Sequence, residues 1–386
     1  MKIGIFGGTF NPPHIGHIKS ALSAMRQLKL NKLFVVPAGI PPHKTLSADT
    51  PPAEMRLQMT RTAFEGPDMP GVSVLDYEIY GNEPGYTIDT VKRIRQEYAN
   101  VELYLLVGTD MYLTLETWKE SGELLKIVKP AVFFRFHDDK ESVDKYSERV
   151  RELSGLRTRI ITCKTIDISS SQLRGMLPQR EGIGYIADTT YAYIVKHRLY
   201  GVKPDWDWLR AKAHSMLGAE RVGHVKGCEE EALRLAERWG ADMDDAREAA
   251  ILHDITKKLT RDENIKLLRQ HGIDVGELRP AEEKLLHSRT GAILAQSEFG
   301  SSQAVQDAIM WHTTGRAGMS LLEKLIYIAD YIEPTRYFAG VNALRTLAYV
   351  DIDAAMRMGL EMSVEDMQAR GIAPNATTFD ALKSLK

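Results

Sequence analysis

The stretch Met1-Lys-Ile-Gly-Ile-Phe-Gly-Gly-Thr-Phe-Asn-Pro-Pro-His-Ile-Gly-His17 decides the fold of the first half of this 386-residue chain. Ile3 to Phe6 is a short apolar run of the kind that forms a buried strand. Gly7 and Gly8 follow, where a β-carbon would keep a ligand away from the backbone. A Pro-Pro turn leads into a periodic stretch from Ile15 to Leu28 that predicts a helix. His14 and His17 therefore stand at a helix start. Free N–H groups and a partial positive charge gather there, which suits a phosphate. The reading is a nucleotide site on the first strand of an α/β domain.

Working outward, apolar runs alternate with helical periods. The runs are 3–6, 32–36, 72–77, 101–107, 131–136 and 159–163. The helical patterns fall near 15–28, 51–63, 87–98, 114–127, 141–153 and 186–198. Such alternation predicts a doubly wound parallel sheet, with ligands bound beyond the carboxyl ends of the strands. Four clusters fall at that edge: the opening stretch, Pro37-Ala-Gly-Ile-Pro-Pro-His-Lys44, Gly108-Thr-Asp110, and Ile168-Ser-Ser-Ser-Gln-Leu-Arg174. Any one is as readily a plain turn as a site. Four at one edge favour a site.

Leu199-Tyr-Gly-Val-Lys-Pro204 stops the last helix of this half, with Gly201 and Pro204 as terminators. After a linker of about four residues, the chain reads as successive amphipathic helices near 205–217, 220–239, 242–259, 262–271, 280–298, 301–313, 318–333, 341–346 and 350–370. The expected domains are 1–201, α/β, and 205–386, all-α. In the second, His224, the adjacent pair His253-Asp254, His287, His312 and Asp330 lie on separate helices. A single histidine on a helix is usually structural. This set, imidazole with carboxylate, suits Fe, Mn, Zn or Ni.

The composition excludes little but agrees with this reading. The net charge of −2 and 26% charged residues give no sign of a nucleic-acid or membrane surface. Two distant cysteines, Cys163 and Cys228, argue against a disulfide framework and for a reducing compartment. No signal peptide and no apolar run of about 18 residues is present, so a cytoplasmic protein is expected.

The paired motifs Gly7-Gly-Thr-Phe-Asn-Pro-Pro-His-Ile-Gly-His17 and Ile168-Ser-Ser-Ser-Gln-Leu-Arg174 resemble the His-x-Gly-His and Ile-Ser-Ser-Thr-x-x-Arg motifs of the nucleotidyltransferase superfamily, whose fold is Rossmann-like. Ser171 replaces the usual Thr. With Pro41-Pro-His-Lys44, Arg56, Tyr86-Thr87, Gly108-x-Asp110, Trp118 and the tail at Tyr193 to Tyr200, residues 1–201 resemble bacterial nicotinate-mononucleotide adenylyltransferases. The resemblance implies ATP, accompanied by Mg²⁺, and nicotinate mononucleotide as substrates. It implies ATP binding by Gly7, Gly8, Thr9, Phe10, His17, Gly108, Asp110, Ile168, Ser169, Ser170 and Arg174. It assigns His14, His17, Lys44 and Arg174 to the phosphates in catalysis. Lys44, Tyr86, Thr87 and Trp118 belong to the mononucleotide; ordinary core packing is the alternative for Trp118.

Gly223-His-Val-Lys226, Ile251-Leu-His-Asp-Ile-Thr-Lys257, His287-Ser288, Trp311-His-Thr-Thr-Gly-Arg316 and Ala329-Asp-Tyr-Ile-Glu-Pro-Thr-Arg336 resemble the HD-domain phosphohydrolases. The similarity covers about residues 205–375 and lies with the bacterial branch that splits diadenosine tetraphosphate into two ADP. It implies two metal ions, iron first, with manganese or zinc as alternatives. His224, His253, Asp254 and Asp330 would bind one, His287 and His312 the other, with Asp254 bridging and catalytic. Lys257 and Arg316 would bind substrate phosphate. Another nucleotide as substrate, or a nucleotide-sensing module, stays open for this half. The expected partners are these small nucleotides, with a homo-oligomer allowed and no nucleic acid or membrane. His214 and His271 match no motif and read as surface residues.

Overall fold

The computed structural model describes every residue except 43, 44, 82, 135–139, 164, 165, 277–279 and 386, and for 280 and 281 the backbone only. The chain forms two compact units, Met1–Lys203 and Pro204–Lys386. The two expected fold classes, α/β and then all-α, are both found. Among the described residues no helix is long and apolar enough to cross a membrane.

In chain order the first unit runs β1 (Lys2–Gly8), α1 (Ile15–Leu28), β2 (Lys32–Pro37), α2 (Ala53–Phe64), β3 (Val72–Val74), α3 (Thr87–Glu97), β4 (Glu102–Gly108), α4 (Thr109–Tyr112), α5 (Ser121–Ile127), β5 (Val128–Phe134), α6 (Lys140–Ser154), β6 (Arg159–Thr162), α7 (Ser170–Met176) and α8 (Asp188–Lys196). The sheet order is β3-β2-β1-β4-β5-β6, every pair parallel. Alternate residues of β1 and β4 feed two cores. Ile3, Ile5, Leu103 and Leu105 point to one face, and Phe6, Tyr104 and Leu106 to the other. Both faces are covered, as a parallel sheet requires. The winding direction reverses between β1 and β4, and that is where such sheets bind ligands.

Two predicted elements of this unit differ. The strand expected over 72–77 ends at Val74, and residues 76–79 turn. The helix expected over 114–127 is broken: a short 3-10 turn covers Leu115–Thr117, Trp118 is extended, and Glu120 takes a left-handed backbone (φ 51°) before α5 starts. Residues 135 and 136 of the expected strand 131–136 lie outside the described residues.

The loop after β1 is clasped from behind. Arg56 on α2 is buried (1% exposed). Its guanidinium donates to the carbonyls of Thr9 (3.0 Å), Ala38 (2.5 Å) and Gly39 (2.6 Å). One side chain thus ties the loops that leave β1 and β2. The Tyr200 hydroxyl donates to Asn11 Oδ1 (2.7 Å), and Arg174 to the Asn11 carbonyl (2.8 Å). Ser170 Oγ donates to the Pro12 carbonyl (2.8 Å).

The second unit contains α9 (Trp206–Met216), α10 (Ala219–Trp239), α11 (Met243–Leu252), α12 (Arg261–Gln270), α13 (Pro280–Glu283), α14 (Leu286–Phe299), α15 (Gln303–Trp311), α16 (Leu321–Ile332), α17 (Val341–Ala348), α18 (Ile352–Ala369) and α19 (Ala376–Ser384). Helix α10 packs on α11 and α16, and α15 packs on α14 and α16. The helix expected over 242–259 stops at Leu252 and continues as turns with i to i+3 hydrogen bonds at Ile255 and Lys257. The helix expected over 280–298 is two pieces. Helix α19, capped by Asn375, lies beyond the last expected element.

Replacing Arg56 with Met removes the donors of three buried carbonyls at once. Unsatisfied buried polar groups cost about 1–3 kcal/mol each. Arg56→Met is expected to destabilise the first unit by about 3 kcal/mol or more in urea unfolding; a change within about 0.5 kcal/mol would contradict the clasp.

Candidate functional sites

In the first unit a cleft opens over the carboxyl ends of β1 and β4. Gly7, Gly8, His14, His17, Gly108 and Ile168 all line it. A β-carbon on Gly7 would meet nothing within 4 Å, whereas one on Gly8 would run into the Phe10 ring at 2.9 Å. Gly7 is the open position, and Gly8 makes room for a neighbour. His14 caps α1, and its backbone N–H donates to His17 Nδ1 (3.2 Å). The two imidazoles lie 3.7 Å apart, centre to centre. His17 Nδ1 is thereby an acceptor, which puts its proton on Nε2.

Phe10 is a correction. Expected at the nucleotide, it is buried (2% exposed) with its ring edge-on to Phe6 (5.5 Å) and Phe64 (5.7 Å). It belongs to the core that supports the loop. Thr9 offers its carbonyl to Arg56. Asp110 sits exposed on α4, beside Gly108. Ser169 caps α7 through Gln172, and Ser170 and Arg174 fasten to the loop backbone. Lys44 lies outside the described residues. Tyr86, Thr87 and Trp118 come together in a smaller hollow with Pro42 and Lys119. Lys119 Nζ stands 4.2 Å over the Tyr86 ring. Trp118 is both things at once: it lines this hollow and packs against the core. Arg56, Asn11 and Tyr200 received no role from the sequence; only the fold shows that they set the loop's position.

In the second unit the six expected ligands converge. Asp254 is 1% exposed and sits between two histidine pairs. Its Oδ2 faces His253 Nε2 (3.6 Å) and His224 Nε2 (3.8 Å). Its Oδ1 faces His287 Nε2 (3.3 Å) and His312 Nε2 (3.7 Å). The Nε2 atoms of His224 and His253 are 3.4 Å apart, and those of His287 and His312 3.3 Å. Asp330 Oδ1 lies 3.1 Å from His224 Nε2.

The other ring nitrogens explain this geometry. His253, His287 and His312 each place Nδ1 on the carbonyl three residues earlier: Ala250 (2.8 Å), Lys284 (2.8 Å) and Ile309 (2.6 Å). A carbonyl only accepts, so Nδ1 carries the proton and Nε2 keeps its lone pair. His224 is held instead by Glu333, whose Oε1 is 3.0 Å from Nδ1. Glu333 is fully buried. It fits because Gly227, one helical turn after His224, has no side chain; a β-carbon there would sit 2.7 Å from Glu333 Oε2.

Burial pushes His253 down to about 4 and His287 down to about 3, so both are neutral at pH 7. For His224 burial acts the same way, but the hydrogen bonds to Asp330 and Glu333 outweigh it and raise its pKa. Burial by itself would raise the Asp254 and Asp330 carboxyls. Facing imidazoles, with Lys257 for Asp254 and Arg336 for Asp330, hold both well below the usual carboxylate range.

The donor set passes a direct test of fit. Asp254 Oδ2 is paired with Arg221 at 2.7 Å, whereas buried Oδ1 accepts no hydrogen bond. Ionised carboxylates and imidazole lone pairs aimed at one another need a cation between them. Among the described residues, two groupings of such atoms are close enough for one ion each, His224-His253-Asp330 and His253-Asp254-His312; they share His253, and His287 is in neither.

Lys257 Nζ lies 3.0 Å from His287 Nε2 and 3.9 Å from Asp254 Oδ1, at the rim of the centre. Arg316, expected to hold phosphate, instead grips fully buried Glu323 with both Nε (2.5 Å) and Nη2 (3.2 Å). That ion pair engages two of its nitrogens and ties the side chain to the start of α16. Arg221, Glu333 and Arg336 were missed. The last two stand inside the Asp330 to Arg336 motif, three and six residues after Asp330, which was the available signal. His214 is partly buried and His271 exposed.

Comparison with known proteins fits this division. Residues 5–176 match the cytidylyltransferase-like family and residues 221–335 the HD domain. A probable nicotinate-nucleotide adenylyltransferase of Gemmatimonas aurantiaca is 33% identical over 53% of this chain and 94% of its own. A Mycoplasma pneumoniae protein named probable nicotinate-nucleotide adenylyltransferase/Ap4A hydrolase is 28% identical over 92% of this chain and 97% of its own. A crystal structure from Clostridium acetobutylicum, titled as a predicted HD superfamily hydrolase involved in NAD metabolism, is 37% identical over 47% of this chain and 96% of its own, with a TM-score of 0.45. The chain belongs to the nicotinate-nucleotide adenylyltransferase family and carries an HD domain in its second unit.

Proposed function

We propose that the chain is a bifunctional enzyme, with residues 1–201 as the adenylyltransferase domain and 205–386 as the HD phosphohydrolase domain. In the first, a phosphate oxygen of nicotinate mononucleotide attacks the α-phosphorus of ATP. The new P–O–P linkage gives deamido-NAD, the bond to the β-phosphate breaks, and pyrophosphate leaves with Mg²⁺. No protein nucleophile is needed, and catalysis is positioning and charge stabilisation. His14 and His17 would donate to the phosphates, and the Gly7 backbone would lie against them. Arg174, Ser169, Ser170 and Lys44 would take the outgoing end. Tyr86, Thr87 and Trp118 would hold the pyridine nucleotide. What supports this is the cleft at the β1/β4 reversal, lined by both histidines and four glycines.

The second domain would hydrolyse diadenosine tetraphosphate to two ADP. Water adds to one inner phosphorus, and the central P–O bond breaks. The observation that carries this is Asp254, with each oxygen facing its own histidine pair. His224, His253, Asp254 and Asp330 would hold one divalent ion. His287, His312 and Asp254 would hold the other. Iron is the proposed metal; manganese and zinc suit the same donors. When bound, the pair acidifies a water and neutralises leaving phosphate. The chain's own part is to keep Nε2 lone pairs aimed inward, and to offer Lys257, Arg221 and Arg336 to the phosphate chain.

Substituting His17 with Ala is expected to lower adenylyl transfer to nicotinate mononucleotide by about 10²-fold or more. Diadenosine tetraphosphate hydrolysis and the circular dichroism spectrum should not change. Retained transfer would refute the phosphate role. In Glu333→Gln the acceptor that orients His224 is weakened. Metal affinity, read by chelator competition, is expected to fall about 10–100-fold, and unaltered affinity would remove Glu333 from the account.

A further inference from the structure

Beside the histidine cluster lies a second hollow. Its inner end shares His312, Asp330 and Arg336 with the centre, and its outer part, between α16 and α18, has no role above. Its cavity volume is about 690 Å³, within the roughly 300–1,000 Å³ usual for a small-ligand pocket.

The character of its wall changes along its length. At the inner end Arg336 is fixed by donating to Asp330 Oδ1 (2.5 Å) and to the Asp330 carbonyl (2.9 Å). The middle is aromatic: Tyr327 is stacked on Tyr331 (6.0 Å, 19°), and Phe338 stands edge-on to Tyr331 (5.1 Å, 62°). Tyr331 and Phe338 are only half-buried, so ring surface faces the hollow. At the outer rim stand the carboxylates of Glu365 and Asp366. A ligand matching this sequence carries negative charge at its inner end and a flat ring next to it. Its outer end carries hydroxyl or amine donors and no further phosphate. A bare polyphosphate has no use for the aromatic wall and is repelled by the rim.

We propose that this hollow is a nucleoside pocket that orients a nucleoside polyphosphate, with its base against Tyr331 and Phe338 and its phosphates directed past Arg336 to the Asp254 centre. The assignment rests on the hydrolase reading for what happens to the phosphates, but not for the pocket's own ligand. It makes Phe338 a specificity residue: it distinguishes nucleotides from inorganic phosphate chains without touching the bond that breaks. Stacking of a base on an aromatic side chain is worth about tenfold or more in affinity when the ring is removed.

The test uses the full chain loaded with Mn²⁺, titrated calorimetrically with ADP and separately with pyrophosphate. Wild type, Phe338→Ala and Phe338→Tyr are compared. The first unit contributes equally to all three, so differences report on this hollow. The expected result is an ADP affinity about tenfold weaker in Phe338→Ala and retained in Phe338→Tyr, with pyrophosphate bound equally by all three. Unchanged ADP binding in Phe338→Ala would overturn the proposal. So would equal weakening of ADP and pyrophosphate, which marks a damaged phosphate end or fold. The two readings fail separately. Intact ADP discrimination without diadenosine tetraphosphate hydrolysis removes the hydrolase assignment alone. Hydrolysis without dependence on the Phe338 ring removes the nucleoside pocket alone.

Discussion

The carboxylate of Asp254, buried between two imidazole pairs, is the constraint around which the second unit is built. A buried charge is tolerated only when it is compensated. Arg221 (2.7 Å) and Lys257 (3.9 Å) are the cations that face it, and the groups of the centre come from five helices. Helix α10 brings His224, the end of α11 brings His253 and Asp254, the start of α14 brings His287, the end of α15 brings His312, and α16 brings Asp330. Three of the four histidines use the same local device, an Nδ1–H bond to the carbonyl three residues back. The device fixes tautomer and direction together. For His253 and His312 it also falls where a helix ends. The fourth histidine borrows Glu333 from a distant turn, and Gly227 leaves the space for it.

The first unit handles phosphate chemistry with other means. Among the described residues its cleft is lined by no carboxylate. It offers backbone at Gly7, paired imidazoles at a helix start, and the end of β4 at Gly108. Such a site depends on the loop holding its shape. The clasp of Arg56, Arg174, Ser170 and Tyr200 on residues 9–12 supplies that. In one unit preorganisation is a buried charge cluster; in the other it is a web of side-chain donors on backbone carbonyls.

Local pattern carried most of the architecture. Ile3 to Phe6 and Leu103 to Val107 are apolar on both faces, as a covered parallel strand requires, and α1 spans the expected residues 15–28. The six converging residues of the second unit could be named because imidazoles and carboxylates recur on separate helices, with an adjacent His-Asp pair, in the order of the HD motif. What escaped has physical causes. Phe10 stands in a ligand-binding motif, yet its bulk is needed in the core. Arg316 looks like a free cation until Glu323, seven residues on, is found buried beneath it. Glu333 and His224 are 109 residues apart, so no spacing rule connects them. The break before α5 follows from the left-handed turn at Glu120, and helix α11 ends where His253 takes the Ala250 carbonyl. Both are decided by local geometry that periodicity does not see.

The proposed role of Asp254 is to bridge two cation sites. Metal content of the purified full chain, measured by elemental analysis alongside an Asp254→Ala variant of equal helicity, tests this most directly. The account predicts two divalent ions per wild-type chain and loss of both in the variant. One ion or none in the wild type, or two retained without Asp254, would contradict it.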